Sequence, residues 1–339
     1  TGRYTVELAR RLPYGDEGLD YLVLWPKGLP HPPMAADSHE AFFEIPVPSA
    51  FRRVYMDQVG IGDFCRKNGV NLIHYPANIG RMVSLHNMVV TVHDLSFVRH
   101  PEWFLPGRAF YYRHAVARSV NRAARVVADS ACTANDLHEL LGIETDRIDI
   151  VPLGVDGAFQ PAGVDEVSAV RRKYALPESF LLFMATLEPR KNVPALIAAW
   201  NRVAPDIPAD LVIAGREGWK AEGVIEAIER SPSRSRIHRI GFVAPEDQAA
   251  LLTAAHAFVW PVLWEGFGLP PLEAMACGTP VLTSDTSSLP EVVGDAAIRV
   301  DPADEDAIAQ GILDLCRDHS LRDRLRDAGL RRSALFTWE

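Results

Sequence analysis

The chain has 339 residues, 48% of them hydrophobic and 23% charged, with a formal net charge of −9. That length exceeds what one core usually reaches, roughly 250–300 residues, so two domains are expected. The acidic balance argues against nucleic-acid binding, and no run of about 18 apolar residues reads as a membrane span. Cys65, Cys132, Cys277 and Cys316 are scattered and form no C-x-x-C. Neither a disulfide framework nor a thiolate zinc site is expected, and a cytoplasmic setting fits.

Short apolar runs alternate with amphipathic stretches along the chain. The first half reads helix Arg3–Leu12, strand Tyr21–Trp25, helix Val54–Lys67, and strands Asn71–Tyr75 and Met88–Val92. Helix Gly107–Ala124, strand Arg125–Ser130, helix Ala134–Leu141 and strand Ile148–Pro152 follow. The second half places strands at Phe180–Ala185, Asp210–Gly215, Ile237–Phe242, Ala257–Pro261 and Pro280–Ser284. Helices fall between them and close the chain at Ala303–Asp318 and Leu321–Leu335. Such alternation predicts parallel sheets covered by helices, an α/β class. It breaks at Pro152–Pro161, which holds Gly154 and Gly157 without helical period. The domains are therefore drawn as 1–153 and 154–339. Two doubly wound domains imply a cleft between them, with ligands beyond the carboxyl ends of the strands. Thr1-Gly2-Arg3-Tyr4 opens directly into a helix, so a preceding first strand is expected to be missing from this sequence.

Residues 1–153 carry 16 Lys+Arg against 17 Asp+Glu, and the remainder 19 against 27, so most of the negative charge lies in the second half. A phosphate site there must be local. The segment Trp264-Glu265-Gly266-Phe267-Gly268-Leu269-Pro270-Pro271-Leu272-Glu273-Ala274-Met275-Ala276-Cys277-Gly278 has the character of one. A strand ends at Pro261, a glycine loop follows, and a helix opens at Pro270 or Pro271, where proline suits the first turn. Gly278 closes the helix. Loop N–H groups and the helix dipole then face an anion. A carboxylate so close to phosphate would repel it, so Glu265 and Glu273 are read as facing hydroxyls. The bland alternative makes Glu273 a dipole partner and Glu265 a solvated acid. A dinucleotide fingerprint is the rival, with Asp285 as ribose acid. There Pro271 stands where the third glycine belongs, and proline does not permit the close helix–strand packing.

The run E-G-F-G-L-P-P-L-E-A-M-A-C-G-T-P-V resembles the E-x7-E signature of the retaining glycosyltransferases of family 4. Glu188-Pro189-Arg190-Lys191-Asn192, Ala214-Gly215, Gly241-Phe242-Val243 and Ser288-Leu289-Pro290-Glu291 resemble the same family in the same order. The resemblance implies the GT-B fold, two Rossmann-like domains, the first binding acceptor and the second a sugar nucleotide. It implies that Glu273 holds the donor ribose and Glu265 lies by the transferred sugar. Phe267, Gly268 and Leu269 then offer backbone groups to sugar and diphosphate. Lys191 matches the family lysine of a basic pair that neutralises the diphosphate. The usual arginine, five or six residues earlier, is replaced by Ala185 or Thr186, and Arg190 is the substitute. At a helix start the dipole disfavours Arg190 and Lys191, which itself points to an anionic partner.

His93-Asp94-Leu95-Ser96-Phe97 with Pro101-Glu102-Trp103-Phe104 resembles a bacterial mannosyltransferase-like subgroup, in which the histidine sits beside the donor sugar. Asp94 is read as support. Gly2-Arg3-Tyr4 resembles the end of the first-domain glycine loop, which approaches the diphosphate. Ser130 is either a wall of the same cleft or a helix N-cap. Asp304-Glu305-Asp306 spells a metal motif of another fold but here suits a helix start, so no metal or other cofactor is expected. Tyr111, His114, Arg118, Arg122 and Arg125 share a predicted helix face, which is either solvated or touches an anionic membrane at its inner surface.

The function implied is transfer of a hexose, mannose from GDP-mannose first and a UDP-sugar second, to a glycan or lipid-linked acceptor of a surface polysaccharide. A GT-B epimerase and an inactive sugar-nucleotide-binding protein are the alternatives. A phosphorylase lacks a candidate pyridoxal-phosphate lysine.

Overall fold

The structure, a computed structural model, describes residues 2–11, 19–27, 40–45, 58, 60–82 and 87–339. It divides into two compact units, Thr1–Val151 with Glu339, and Pro152–Trp338. No helix of the described residues is long and apolar enough to cross a membrane.

The first unit runs α1 (Gly2–Arg11), β1 (Tyr21–Pro26), β2 (Glu40–Ile45), α2 (Ile61–Lys67), β3 (Leu72–Tyr75) and β4 (Asn87–Val92). It continues α3 (Ser96–Arg99), α4 (Pro106–Arg122), β5 (Arg125–Ala128), α5 (Ala131–Leu141) and β6 (Ile148–Ile150). Leu12, and positions 54–57 and 59 of the expected helix Val54–Lys67, lie outside the described residues. β1 and β2 pair in parallel, and β2 went unread in the sequence. The main sheet is parallel in the order β3-β4-β5-β6. Val90, Val92, Val126 and Ala128 are fully buried in its core. β3, β4 and β5 are neighbours, so their carboxyl ends deliver Pro76, His93 and Asp129 side by side. Arg125 opens β5, not the helix before it, and its guanidinium is held by Asp149. The basic face expected there therefore ends at Arg122.

The second unit runs α6 (Val164–Lys173), β7 (Phe180–Met184), α7 (Val193–Val203), β8 (Asp210–Ala214), α8 (Glu222–Glu229), β9 (Ile237–Gly241) and α9 (Gln248–Ala254). It continues β10 (Ala257–Trp260), α10 (Leu269–Ala276), β11 (Val281–Ser284), α11 (Leu289–Val293), β12 (Ile298–Val300), α12 (Glu305–Arg317) and α13 (His319–Ser333). No helix or strand occupies 151–163.

Its six-stranded sheet is parallel throughout, in the order β12-β11-β10-β7-β8-β9. The chain enters at the centre with β7, winds outward to β9, then returns to β10 beside β7 and winds out the other way. Right-handed crossovers send the helices of the two excursions to opposite faces. Accordingly α7 packs with α8 and α12, while α9 packs with α6 and α10, and α10 with α13. A sheet covered on both sides needs apolar residues in unbroken runs, which is what Phe180–Phe183 and Ala257–Trp260 supply, all fully buried. The reversal between β7 and β10 is the point where loops diverge and leave room for a ligand.

The loops after β7 and β8 are tied to each other. Gly215 has φ +130, and a Cβ there would sit 1.6 Å from the Ala185 carbonyl oxygen. Only glycine lets the β8 exit lie so close to the β7 exit. Leu187 N then donates to Arg216 O at 2.9 Å, and Gly218 N donates to Leu187 O.

Candidate active site

At the reversal, the β7 exit carries Glu188-Pro189-Arg190-Lys191 in a single 3-10 turn. Asn192 follows at φ 56, and its Nδ2 donates to the carbonyls of Pro261 (2.9 Å) and Pro302 (2.8 Å). That clasp fixes the turn against the β10 exit. Leu263 N also donates to Arg190 O at 2.9 Å. The Lys191 ammonium, on a residue only 7% exposed, donates to Glu265 Oε1 and lies 4.6 Å from the centre of the Trp260 indole. Burial, aided by the neighbouring Arg190 charge, pushes Lys191 below the ordinary lysine range against the pull of Glu265.

Arg190 bonds Glu188 through Nε and places Nη1 3.5 Å from Glu265 Oε2. The same Nη1 lies 3.4 Å from the Trp264 carbonyl. Arg190 and Lys191 thus meet one carboxylate from two sides. Ala185 and Thr186, at the positions of the usual arginine, carry no charge, and Ala185 N is used on Ala214 O.

The glycine loop is held from β11 outward. Glu265 N donates to Ser287 Oγ at 3.1 Å. The fully buried Ser288 hydroxyl shares its one proton between the carbonyls of Glu265 (2.9 Å) and Phe267 (2.7 Å). Gly268, at φ +112, caps α10, and a Cβ there would meet Leu289 Cδ2 at 2.8 Å. Helix α10 starts at Leu269, one residue before the expected prolines. Pro270 and Pro271 have no N–H, so the anion donors expected at this terminus reduce to Leu269 and the loop. Glu273 is the fifth residue of α10, past its first turn, and 5% exposed.

The first unit gathers a second group. His93 Nδ1 lies 2.5 Å from Asp129 Oδ2, and its Nε2 lies 2.9 Å from the Pro76 carbonyl. His93 N donates to Asn78 Oδ1 at 2.7 Å. The Tyr4 ring stands edge-on to His93, centres 5.0 Å apart, and its hydroxyl meets Thr91 Oγ1 at 3.0 Å. His74 Nε2 reaches the same Thr91 oxygen at 2.8 Å. Gly2 and Arg3 form the first turn of α1, next to Tyr4 in the chain, and not a loop. Asp94 Oδ1 accepts from the backbone and hydroxyl of Ser96, so it shapes the start of α3. Ser130 Oγ accepts from Thr133 N at 3.0 Å, the N-cap of its two readings. Asp304 likewise caps α12, accepting from the backbone of Asp306 and Ala307.

Four contributors escaped sequence reasoning. Asp129 sits one residue from Ser130, and nothing local in the sequence ties it to His93. Ser287 and Ser288 lie beside and within the Ser288–Glu291 motif, whose resemblance carries no role for either hydroxyl. Trp260 read only as strand. A carboxylate or hydroxyl beside the carboxyl end of a predicted parallel strand was the available signal.

Burial lowers His74 to about 4, helped by the nearby His93 charge, and raises Tyr4 to about 12. Unfolded histidine titrates near 6.5, so between those values only the unfolded chain binds this proton. Stability is therefore full above pH 6.5 and falls as pH drops towards 4, by up to about 3 kcal/mol. Thermal unfolding followed from pH 7 to 4 should show this loss, and His74→Gln should reduce it. An unchanged slope in the variant contradicts the assignment.

The family model described as Glycosyltransferase Family 4 matches residues 1–159, and that described as Glycosyl transferases group 1 matches 168–332. The O-antigen chain mannosyltransferase B of Escherichia coli is 35% identical over 258 residues, covering 75% of this chain and 68% of that protein. A serotype-specific mannosyltransferase WbdA of the same species is 32% identical over 258 residues, 74% of this chain. The chain spans only about a third, 32%, of that longer protein. Among solved structures, sucrose-phosphate synthase from Thermosynechococcus elongatus superposes with a TM-score of 0.74 at 21% identity, over 94% of this chain and 85% of the other. Anabaena HepE in complex with UDP and glucose gives 0.70 at 18% identity, over 88% and 83%. By sequence and by the GT-B fold of its two Rossmann-like units, this chain belongs to glycosyltransferase family 4.

Proposed function

We propose that this protein transfers a hexose, mannose from GDP-mannose first among the candidates, to a glycan or lipid-linked acceptor in surface polysaccharide synthesis. The observation that carries the reading is the meeting of Lys191, Arg190 and Glu265 at the sheet reversal, beside the glycine loop and Glu273. A buried lysine and a half-buried arginine at a strand reversal answer the need of a diphosphate leaving group, whose charge grows as its bond to sugar breaks. The mannosyl donor is supported by relatives named O-antigen chain mannosyltransferase B and WbdA. HepE, whose structures hold UDP and UDP-glucose, keeps a uridine donor as the competing outcome.

In this reading the second unit holds the donor. Glu273 faces the ribose, Glu265 the sugar hydroxyls, and Phe267, Gly268 and Leu269 the sugar and diphosphate through their backbone. The acceptor oxygen bonds to the anomeric carbon on the face the diphosphate leaves, and that diphosphate oxygen takes the acceptor proton. Configuration is retained, and neither glutamate serves as nucleophile, unlike the paired carboxylates of retaining glycosidases. Lys191 and Arg190 supply the positive field with no metal or other cofactor, His93 stands by the sugar, and Gly2 and Arg3 approach the diphosphate.

A lipid-linked acceptor suits a protein that works at the inner face of a membrane. Helix α4 supports this with exposed Phe110 (67%) and Tyr111, and with exposed Arg108, Arg113, Arg118 and Arg122. The helix itself carries no acidic residue. Aromatic and basic side chains on one exposed helix match an anionic lipid surface, about 1 kcal/mol per cation.

Thermal-shift screening of GDP-, UDP-, ADP- and dTDP-sugars should find one stabilising donor. Glu273→Gln should then weaken nucleotide binding about tenfold or more, the scale of a lost hydrogen bond to a charged group. Glu265→Gln should instead spare nucleotide binding and cut turnover about a hundredfold. Equal binding losses contradict the division of roles, and no shift with any nucleotide contradicts the donor site. Separately, Arg113→Gln/Arg118→Gln/Arg122→Gln should lower sedimentation with phosphatidylglycerol vesicles at least about tenfold. Unchanged sedimentation removes the membrane from the account.

A further inference from the structure

His93 is held across three strands of the first-unit sheet. Its Nε2 faces the Pro76 carbonyl at the β3 exit, and its Nδ1 faces Asp129 Oδ2 at the β5 exit. A carbonyl has no proton to give, so Nε2 carries one. The Asp129 contact is 2.5 Å, shorter even than the about 2.7–2.9 Å of a charge-assisted N–H···O bond, and Asp129 is 1% exposed. The backbone is fixed too: Asn78 Oδ1 takes the His93 N–H, and the Thr133 hydroxyl lies 3.4 Å from the His93 carbonyl oxygen. The Tyr4 ring closes one side.

We propose that Asp129 is a positioning residue that locks His93 with a proton on each ring nitrogen, so that His93 is a fixed cation beside the sugar and not a proton acceptor. The proposal rests on the reading of His93 as a sugar-side group. It carries a consequence for the reaction. With both nitrogens engaged, the acceptor proton has no route onto this imidazole and leaves on the diphosphate oxygen. Among the described residues, the groups facing His93 are Tyr4 from α1, His74 from β3, Thr91 of β4, Asp94 next in the chain and Asp129. Burial holds Tyr4 neutral to about 12 and His74 neutral down to about 4. Burial raises Asp129, and the His93 hydrogen bond and charge oppose that rise.

The first test needs no substrate. The full chain is prepared with 15N in its histidine rings, and His93 is identified by the signal lost in His93→Gln. At pH 7.5, two-bond proton–nitrogen spectra should show both His93 nitrogens protonated in the wild type and one bare nitrogen in Asp129→Asn. A bare nitrogen on wild-type His93, or an Asp129→Asn spectrum identical to wild type, overturns the lock. The second test is turnover of the stabilising sugar nucleotide. At pH 7.5 Asp129→Asn should lose kcat about tenfold or more, the scale of a lost electrostatic contact to the transition state, and should lose more again at pH 8.5, with donor KM close to wild type. Asp129→Glu should recover much of the loss. A kcat for Asp129→Asn that rises with pH marks His93 as a base and refutes the proposal. If the wild type turns over no donor, the functional reading has failed, and the ring-nitrogen spectra still decide the lock.

Discussion

The buried pair between Lys191 and Glu265 is the constraint on which the second unit's site depends. It joins the first loop to leave the sheet centre to the first loop that returns there, across the strand reversal between β7 and β10. Breaking such a pair by removing one partner strands a buried charge, at a cost of about 3–5 kcal/mol. Protein interiors tolerate such charges only when compensated, and here the compensation is local. Glu188 answers Arg190, Glu265 answers Lys191, and the Trp260 indole supports the ammonium from below. Trp260 in turn stacks with Phe183 and with Phe258, centres 5.1 and 5.4 Å away. A polar site is thus seated on the most apolar part of the sheet. In the donor reading, Glu265 holds the two cations in place beside the sugar while they face the diphosphate.

The first unit solves a related problem with fewer charges. Three neighbouring strand ends supply a carbonyl, an imidazole and a carboxylate, and parallel pairing alone brings them together. The α1 helix then closes over the group through Tyr4, while α5, capped by Ser130, carries Thr133 to the His93 carbonyl. Both units use the carboxyl edge of a parallel sheet, where each strand exit releases backbone and side chains from the ladder.

Much of this was legible from the residues. Continuous apolar runs such as Phe180–Phe183 have one stable use, a strand covered on both faces. The segment Trp264–Gly278 announced loop, helix and both glutamates because each residue acts on its own neighbours. What failed did so for reasons of distance and register. β12 is three residues long with Arg299 in its middle, too short for a periodic signal. Arg125 continued a helical spacing that had already ended at Arg122. Arg190 could not be placed, because whether a side chain replaces one from the strand before depends on how a 3-10 turn docks. Asp129 and His93 are 36 residues apart, and only sheet order makes them partners. The missing N–H groups of Pro270 and Pro271 are legible in the sequence itself.

In the donor reading, Lys191 and its partners form a diphosphate site. Titration calorimetry of nucleoside monophosphates and diphosphates, in the guanosine and uridine series, tests it on wild type and Lys191→Met. The wild type should prefer diphosphates about 10- to 100-fold, the scale of a hydrogen bond to a charged group, and Lys191→Met should lose most of that preference. A preference that survives Lys191→Met, or equal weakening of monophosphate and diphosphate, would contradict it.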